Sequence, residues 1–170
     1  MTNNGKNEQF LLGFLETVEL PDGGFVGGLL VTNRLGRPLE FQCTAPVRAN
    51  RTQEILYGPT LVPYMLTDLI GKTLIEKAGV KPDLVLTEND DTLALREHIR
   101  SPVARIQDDP TTTECKIGRH SLRFHSGHES DGAEIQRKSH LIPPDANLKE
   151  PFERVREALK EALTAGGSGK

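Results

Sequence analysis

The chain has only two cysteines in 170 residues, Cys43 and Cys115. That excludes a disulfide framework and makes a reducing, cytoplasmic setting the natural expectation. It has no run of about 18 apolar residues, and so no candidate membrane span. Residues 1–9 are polar, without the apolar core of a signal peptide. It lacks a charge excess: 21 Lys and Arg stand against 24 Asp and Glu, a formal net charge of −3. Such a balance gives no overall pull towards nucleic acid or acidic lipid. No nucleophile–base pair and no cofactor fingerprint can be found. Two fragments end like a phosphate-binding loop but do not begin like one. Gly71-Lys72-Thr73 has Leu66 five residues before its Gly and falls inside a predicted helix; residues 165–170 have Thr164 where the first Gly should stand.

What is present is ordinary globular chemistry. Hydrophobic residues are 36% and charged residues 26%, enough in a chain of this size for one domain with its own core. The stretch 25–80 organises the rest. Residues 25–32 are apolar on both faces, which suits a central strand covered on each side. Residues 39–47 alternate, and the alternation points Leu39, Phe41, Cys43, Ala45 and Val47 towards a core. This predicts a buried, unreactive Cys43. Asn33 and Gly36 make a hairpin loop between these strands, and Pro21-Asp22-Gly23-Gly24 another before them. A strand over 10–20, with Phe14, Val18 and Leu20 on one face, completes an N-terminal antiparallel meander. Residues 51–57 suggest a helical turn. A long helix then runs from Thr60, its expected N-cap, to about Ala78, with Val62, Met65, Leu66, Leu69, Ile70 and Leu74 as its apolar face.

Further on, 84–86 form a short buried strand, and 88–91 cap a helix over 92–99. Residues 103–106 are a strand and 107–114 a loop. Residues 116–125 are a strand with a bulge or turn at Gly118, and 133–140 a short helix. The last helix, 148–163, has the cleanest pattern: Leu148, Phe152, Val155, Leu159 and Ala162 form a narrow apolar seam among charges. The expected organisation is a flexible arm at 1–9, a single α+β (or loosely wound α/β) domain over 10–164 with a mixed sheet, and a flexible tail at 165–170.

Three groups of residues invite chemistry. Glu88, Asp90 and Asp91 sit at the carboxyl end of a strand, where open α/β sheets gather ligands, but capping a helix alone accounts for them and is their expected role. His120, His125 and His128 lie near Glu129 and Asp131, but the parity of the strand separates His120 from His125, so no metal is expected. Arg48 and Arg51 precede helical N–H groups, and are the expected anion-binding residues. Arg119, Arg123 and His125 share a strand face, but no aromatic lies on it to stack bases, so a nucleic-acid partner is not expected.

The sequence therefore predicts an intracellular binding or assembly module without catalytic activity or cofactor. Its expected partner is a protein or a second copy, met through Phe152, Val155 and Leu159 of the last helix. The other reading, which leaves open whether the chain is an enzyme, is a small metal-dependent hydrolase or nuclease. It would use the Glu88/Asp90 and His125/His128 regions.

Overall fold

Alternating apolar faces in the central segments need cover on both sides, and the chain provides it. The structure, a computed structural model, describes residues 8–107 and 115–168. Most of the expected arm, most of the loop at 107–114, and Gly169 and Lys170 of the expected tail lie outside the described residues. The strands are β1 (Leu12–Glu19), β2 (Phe25–Thr32), β3 (Pro38–Cys43), β4 (Leu84–Thr87), β5 (Val103–Gln107), β6 (Lys116–Ile117) and β7 (His120–Phe124). They form one mixed seven-stranded sheet in the order β3-β2-β1-β4-β5-β7-β6. β1, β2 and β3 are the antiparallel meander. β4 lies parallel to β1 on its other side and parallel to β5, and β7 returns antiparallel to β5. The domain is α+β, with a mixed sheet and helices.

Strand parity sorts the core into two layers. Leu12, Phe14, Val26, Leu30, Leu84, Leu86, Ala104 and Ile106 point to one face, with Phe152, Val155 and Leu159 of α5 (Glu150–Ser168). Leu15, Leu29, Val31, Val85 and Val103 point to the other, with Leu66, Ile70 and Leu74 of the long helical segment. β2 has glycines where both layers press closest. A Cβ at Gly28 would stand 2.9 Å from Val155 Cγ1, and one at Gly27 would collide with Ile70.

Several elements differ from expectation. The long helix is not regular: α2 (Leu61–Tyr64) passes through a π-helical stretch (Met65–Gly71) into α3 (Lys72–Lys77). Pro63 has no N–H to give, and Thr67 Oγ1 donates to the Pro63 carbonyl at 2.7 Å, which loosens the regular ladder there. Thr60 makes no side-chain cap for α2. The capping box belongs to Asn50 and Gln53, ahead of α1 (Arg51–Tyr57). The helix expected at 92–99 is a 3-10 helix, Asp90–Glu97, capped by Asn89. Gly118, at φ 56°, turns the strand at 116–125 into the β6–β7 hairpin. α4 (Ser130–Lys138) covers this end of the sheet. α5 begins later than expected and runs to Ser168, into the stretch expected to be a tail.

β3 is the clearest correction. Its apolar residues do face the α5 layer, since Phe41 is level with Leu30. But β3 is the sheet edge, where the helical cover thins out. Leu39 is 46% exposed, Phe41 is 36% exposed, and Cys43 is exposed while Cys115 is buried. The expectation of a buried Cys43 is overturned. Burial pushes the Cys115 thiol up to about 11.

Candidate active site

The register of β1 and β4 sets the site. Phe14 lies level with Leu86 in this parallel pair. Two residues further along each strand come Glu16 and Glu88. Parity puts both on the α5 face, Glu16 in the middle of β1 and Glu88 just past the carboxyl end of the adjacent parallel β4. Glu16 is only 9% exposed. A carboxylate in such a place needs a counter-cation, and α5 supplies one. Phe152 docks edge-on against Phe14, ring centroids 5.4 Å apart, and one turn later Arg156 projects beside the pair. Its Nη1 donates to Glu16 Oε2 and, at 3.1 Å, to Glu88 Oε1. Lys149 Nζ lies 3.6 Å from Glu88 Oε2, and the Thr17 N–H donates to Glu16 Oε1 at 3.1 Å.

Burial pushes the Glu16 carboxyl above its ordinary value; Arg156 pulls it down, and the Glu88 charge adds to the upward push. For Arg156, burial opposes the charge, and the hydrogen bonds to Glu88 and Glu16 more than offset it, holding the guanidinium above its usual range.

On the opposite face of the same strand end lies a second charged group. Arg105 of β5 is level with Arg123 of β7. Both pair with Asp90, Arg105 Nε at 3.6 Å, and Arg105 Nε also donates to the Glu88 carbonyl at 3.2 Å. Asp90, Arg123 and His125 line a cleft of ≈ 500 Å³. Cations thus flank the end of β4 from both faces.

Asp90 and His125 line the same cleft, but their charge partners differ, Asp90 pairing with arginines and His125 with Glu97; Glu88 does not line that cleft. His125 and His128 stack on one another and flank Glu97, with Nε2 of each 3.1 Å and 3.5 Å from Glu97 Oε1. His120 is buried, and its Nε2 accepts the Leu148 N–H at 3.0 Å, which fits it to a core role. Asp131 is paired with Arg96 at 2.8 Å. Among the described residues no three His, Cys, Asp or Glu side chains come together to hold a metal ion. Arg48 is paired with Asp22 and Arg51 with Glu54, and the Asn50 side chain already takes a free N–H of α1. Phe152 and Val155 are 0% exposed and Leu159 is 1% exposed. The seam expected to meet a partner is consumed by the chain's own sheet, which corrects the expectation of a protein partner or homodimer through this helix. Among the described residues no helix is long and apolar enough to cross a membrane.

Sequence reasoning missed Glu16 and Arg156. The signal for Glu16 was its position, since it shares the parity of Phe14, Val18 and Leu20. Arg156 had no such signal, being one of many charges on an amphipathic helix.

The order and direction of the strands, with helices on both faces, are also found in solved structures. The catalytic domain of human Endonuclease V matches 93% of this chain and 85% of its own, with a TM-score of 0.50 and 12% identity. Endonuclease V of Ciona intestinalis, in complex with a 24mer DNA containing an inosine followed by a ribo-adenosine, matches 91% of this chain and 88% of its own, with a TM-score of 0.48 and 10% identity. No family model matches the chain, and no curated protein does. At such identity the likeness to the human domain is one of fold. It nonetheless corrects the expectation of a non-catalytic binding module, because the architecture is that of a nuclease's catalytic domain. It equally overturns the expectation that nucleic acid is not a partner.

Proposed function

We propose that this chain is a nucleic-acid phosphodiesterase whose centre is the Glu16–Glu88 pair. The observation that carries this reading is the convergence of those two carboxylates on one guanidinium, one from the middle of β1 and one from just past the end of the adjacent parallel β4. The shared fold with a nuclease domain supports it. Two carboxylates offer hard oxygen donors, which suit a magnesium-like divalent ion that takes its remaining ligands from water and substrate phosphate. The cation already lying between them is a further sign that the donor set fits. Such an ion, when bound, polarises a phosphoryl oxygen and acidifies a bound water.

The chain's own residues supply the rest. Lys149 and Arg156 donate to non-bridging phosphate oxygens through charge-assisted hydrogen bonds. Arg105 and Arg123 hold the neighbouring backbone phosphates without reading sequence. Two free cysteines, one of them exposed, support a cytoplasmic setting.

The test is cleavage of labelled single-stranded and double-stranded DNA and RNA with Mg²⁺ or Mn²⁺. Glu16→Gln and Glu88→Gln should each lower the rate by about 10²-fold or more. A parent chain that cleaves none of these substrates would sink the reading. Full activity in both variants would move the centre elsewhere.

A further inference from the structure

Arg156 holds the two carboxylates in an unusual way. Among the described residues, both of its hydrogen bonds run through Nη1. It does not use the two-nitrogen fork that makes an arginine–carboxylate pair strong and directional. Its side chain is 39% exposed, while the helix beneath it is fixed by Phe152 and Val155, both 0% exposed. The backbone is therefore anchored and the long side chain has somewhere to go. The charges of Glu16 and Glu88 are balanced by those of Arg156 and Lys149, so an incoming divalent ion meets a neutral site and must displace a cation to enter.

We infer that Arg156 is a tethered latch. It occupies the Glu16–Glu88 pair when no substrate is bound, yields the carboxylates to a divalent cation, and then turns its guanidinium onto the substrate phosphate. The inference rests on the phosphodiesterase reading above and specifies its regulation. One guanidinium thereby keeps a half-buried pair of like charges from repelling in the resting chain. It also couples metal entry to phosphate capture, since the displaced fork has its donors free for a phosphate.

The experiment is Mn²⁺ titration by calorimetry on the full chain without nucleic acid. The proteins compared are the parent, Arg156→Gln, Arg156→Lys, and the double variant Glu16→Gln with Arg156→Gln. Melting curves confirm that each is folded. Removing the competing cation should tighten Mn²⁺ binding in Arg156→Gln by about tenfold, within the usual range of coupling between sites. Arg156→Lys should stay near the parent, and the double variant should lose the gain. With Mn²⁺ present and a non-cleavable phosphorothioate oligonucleotide as probe, Arg156→Gln should bind the oligonucleotide more weakly than the parent does. Equal or weaker Mn²⁺ binding in Arg156→Gln overturns the latch, and unchanged oligonucleotide affinity overturns the phosphate-capture step. A parent that cleaves nucleic acid, with no gain in Arg156→Gln, defeats the latch alone. Tighter Mn²⁺ binding in a chain that cleaves nothing defeats the phosphodiesterase reading alone.

Discussion

Single residues in this chain are set by where their strand lies in the sheet more than by their own polarity. Cys43 and Cys115 show it. Both are flanked by polar residues in the sequence, Cys43 by Gln42 and Thr44 and Cys115 by Glu114 and Lys116, yet Cys43 is exposed on the edge strand and Cys115 is 1% exposed in the core. Thiolate is the reactive form, and burial that raises the Cys115 pKa to about 11 withdraws it twice, by access and by charge. A thiol reagent at neutral pH and under native conditions should modify Cys43 first, with Cys115 reacting only on unfolding; mass spectrometry of peptides after a timed pulse gives the order. Rapid modification of Cys115 would mean that the β6–β7 end opens readily. Glu16 obeys the same logic in reverse. It is a charged residue at a core-facing position, and such a position is costly unless something meets the charge. That made it legible in principle. Glu88 drew notice because it follows a short buried strand, although helix capping was the expected role for it.

At the scale of elements, α5 does the most. A free helix of this length is marginal in water, so its order comes from the face it buries. Phe152 reaches the floor of that face, against Phe14. Phe152→Ala should cost about 3–5 kcal/mol, read as a lower denaturation midpoint, with the sedimenting mass unchanged because the seam faces the chain's own sheet. A variant of parental stability would detach α5 from the sheet. The seam of α5 was readable from periodicity alone; what it packs against was not. A stripe of Leu, Phe and Val has the same spacing whether it lies on its own sheet or on a neighbour. The irregular π-helical stretch was hidden for another reason. Its residues keep helical spacing closely enough, and Pro63 reads as a first-turn proline when the segment is assumed to start at Thr60.

At the scale of the whole molecule, net charge is a poor guide to partner. The chain carries −3 overall, yet Arg105 and Arg123 on one face and Lys149 and Arg156 on the other surround the end of β4. The proposed nucleic-acid contact rests on where these cations stand and not on the sum. If Arg105 and Arg123 hold phosphates, binding of a fluorescent oligonucleotide should fall with salt. The double variant Arg105→Ala with Arg123→Ala should reduce the slope of log K against log salt by about 1.5–2, roughly one unit for each lost contact. Anisotropy titrations at several salt concentrations measure it. An unchanged slope would place the nucleic acid on another face.

The sequence by itself determined the elements and most of their order. Period-2 and period-3.6 patterns, turn glycines and prolines mark the meander, the buried strand at 84–86, a break at Gly118 and the last helix, because these features depend on neighbours along the chain. Only the tertiary structure decided that β4 pairs parallel with β1, that β3 is an edge, and that Arg156 stands over Glu16 and Glu88. Those facts join residues 68 and 140 positions apart. No local pattern carries such a distance, since strand pairing and helix docking are chosen by which apolar faces can be buried together. These contacts exist only where the middle of β1, the end of β4 and one helix meet.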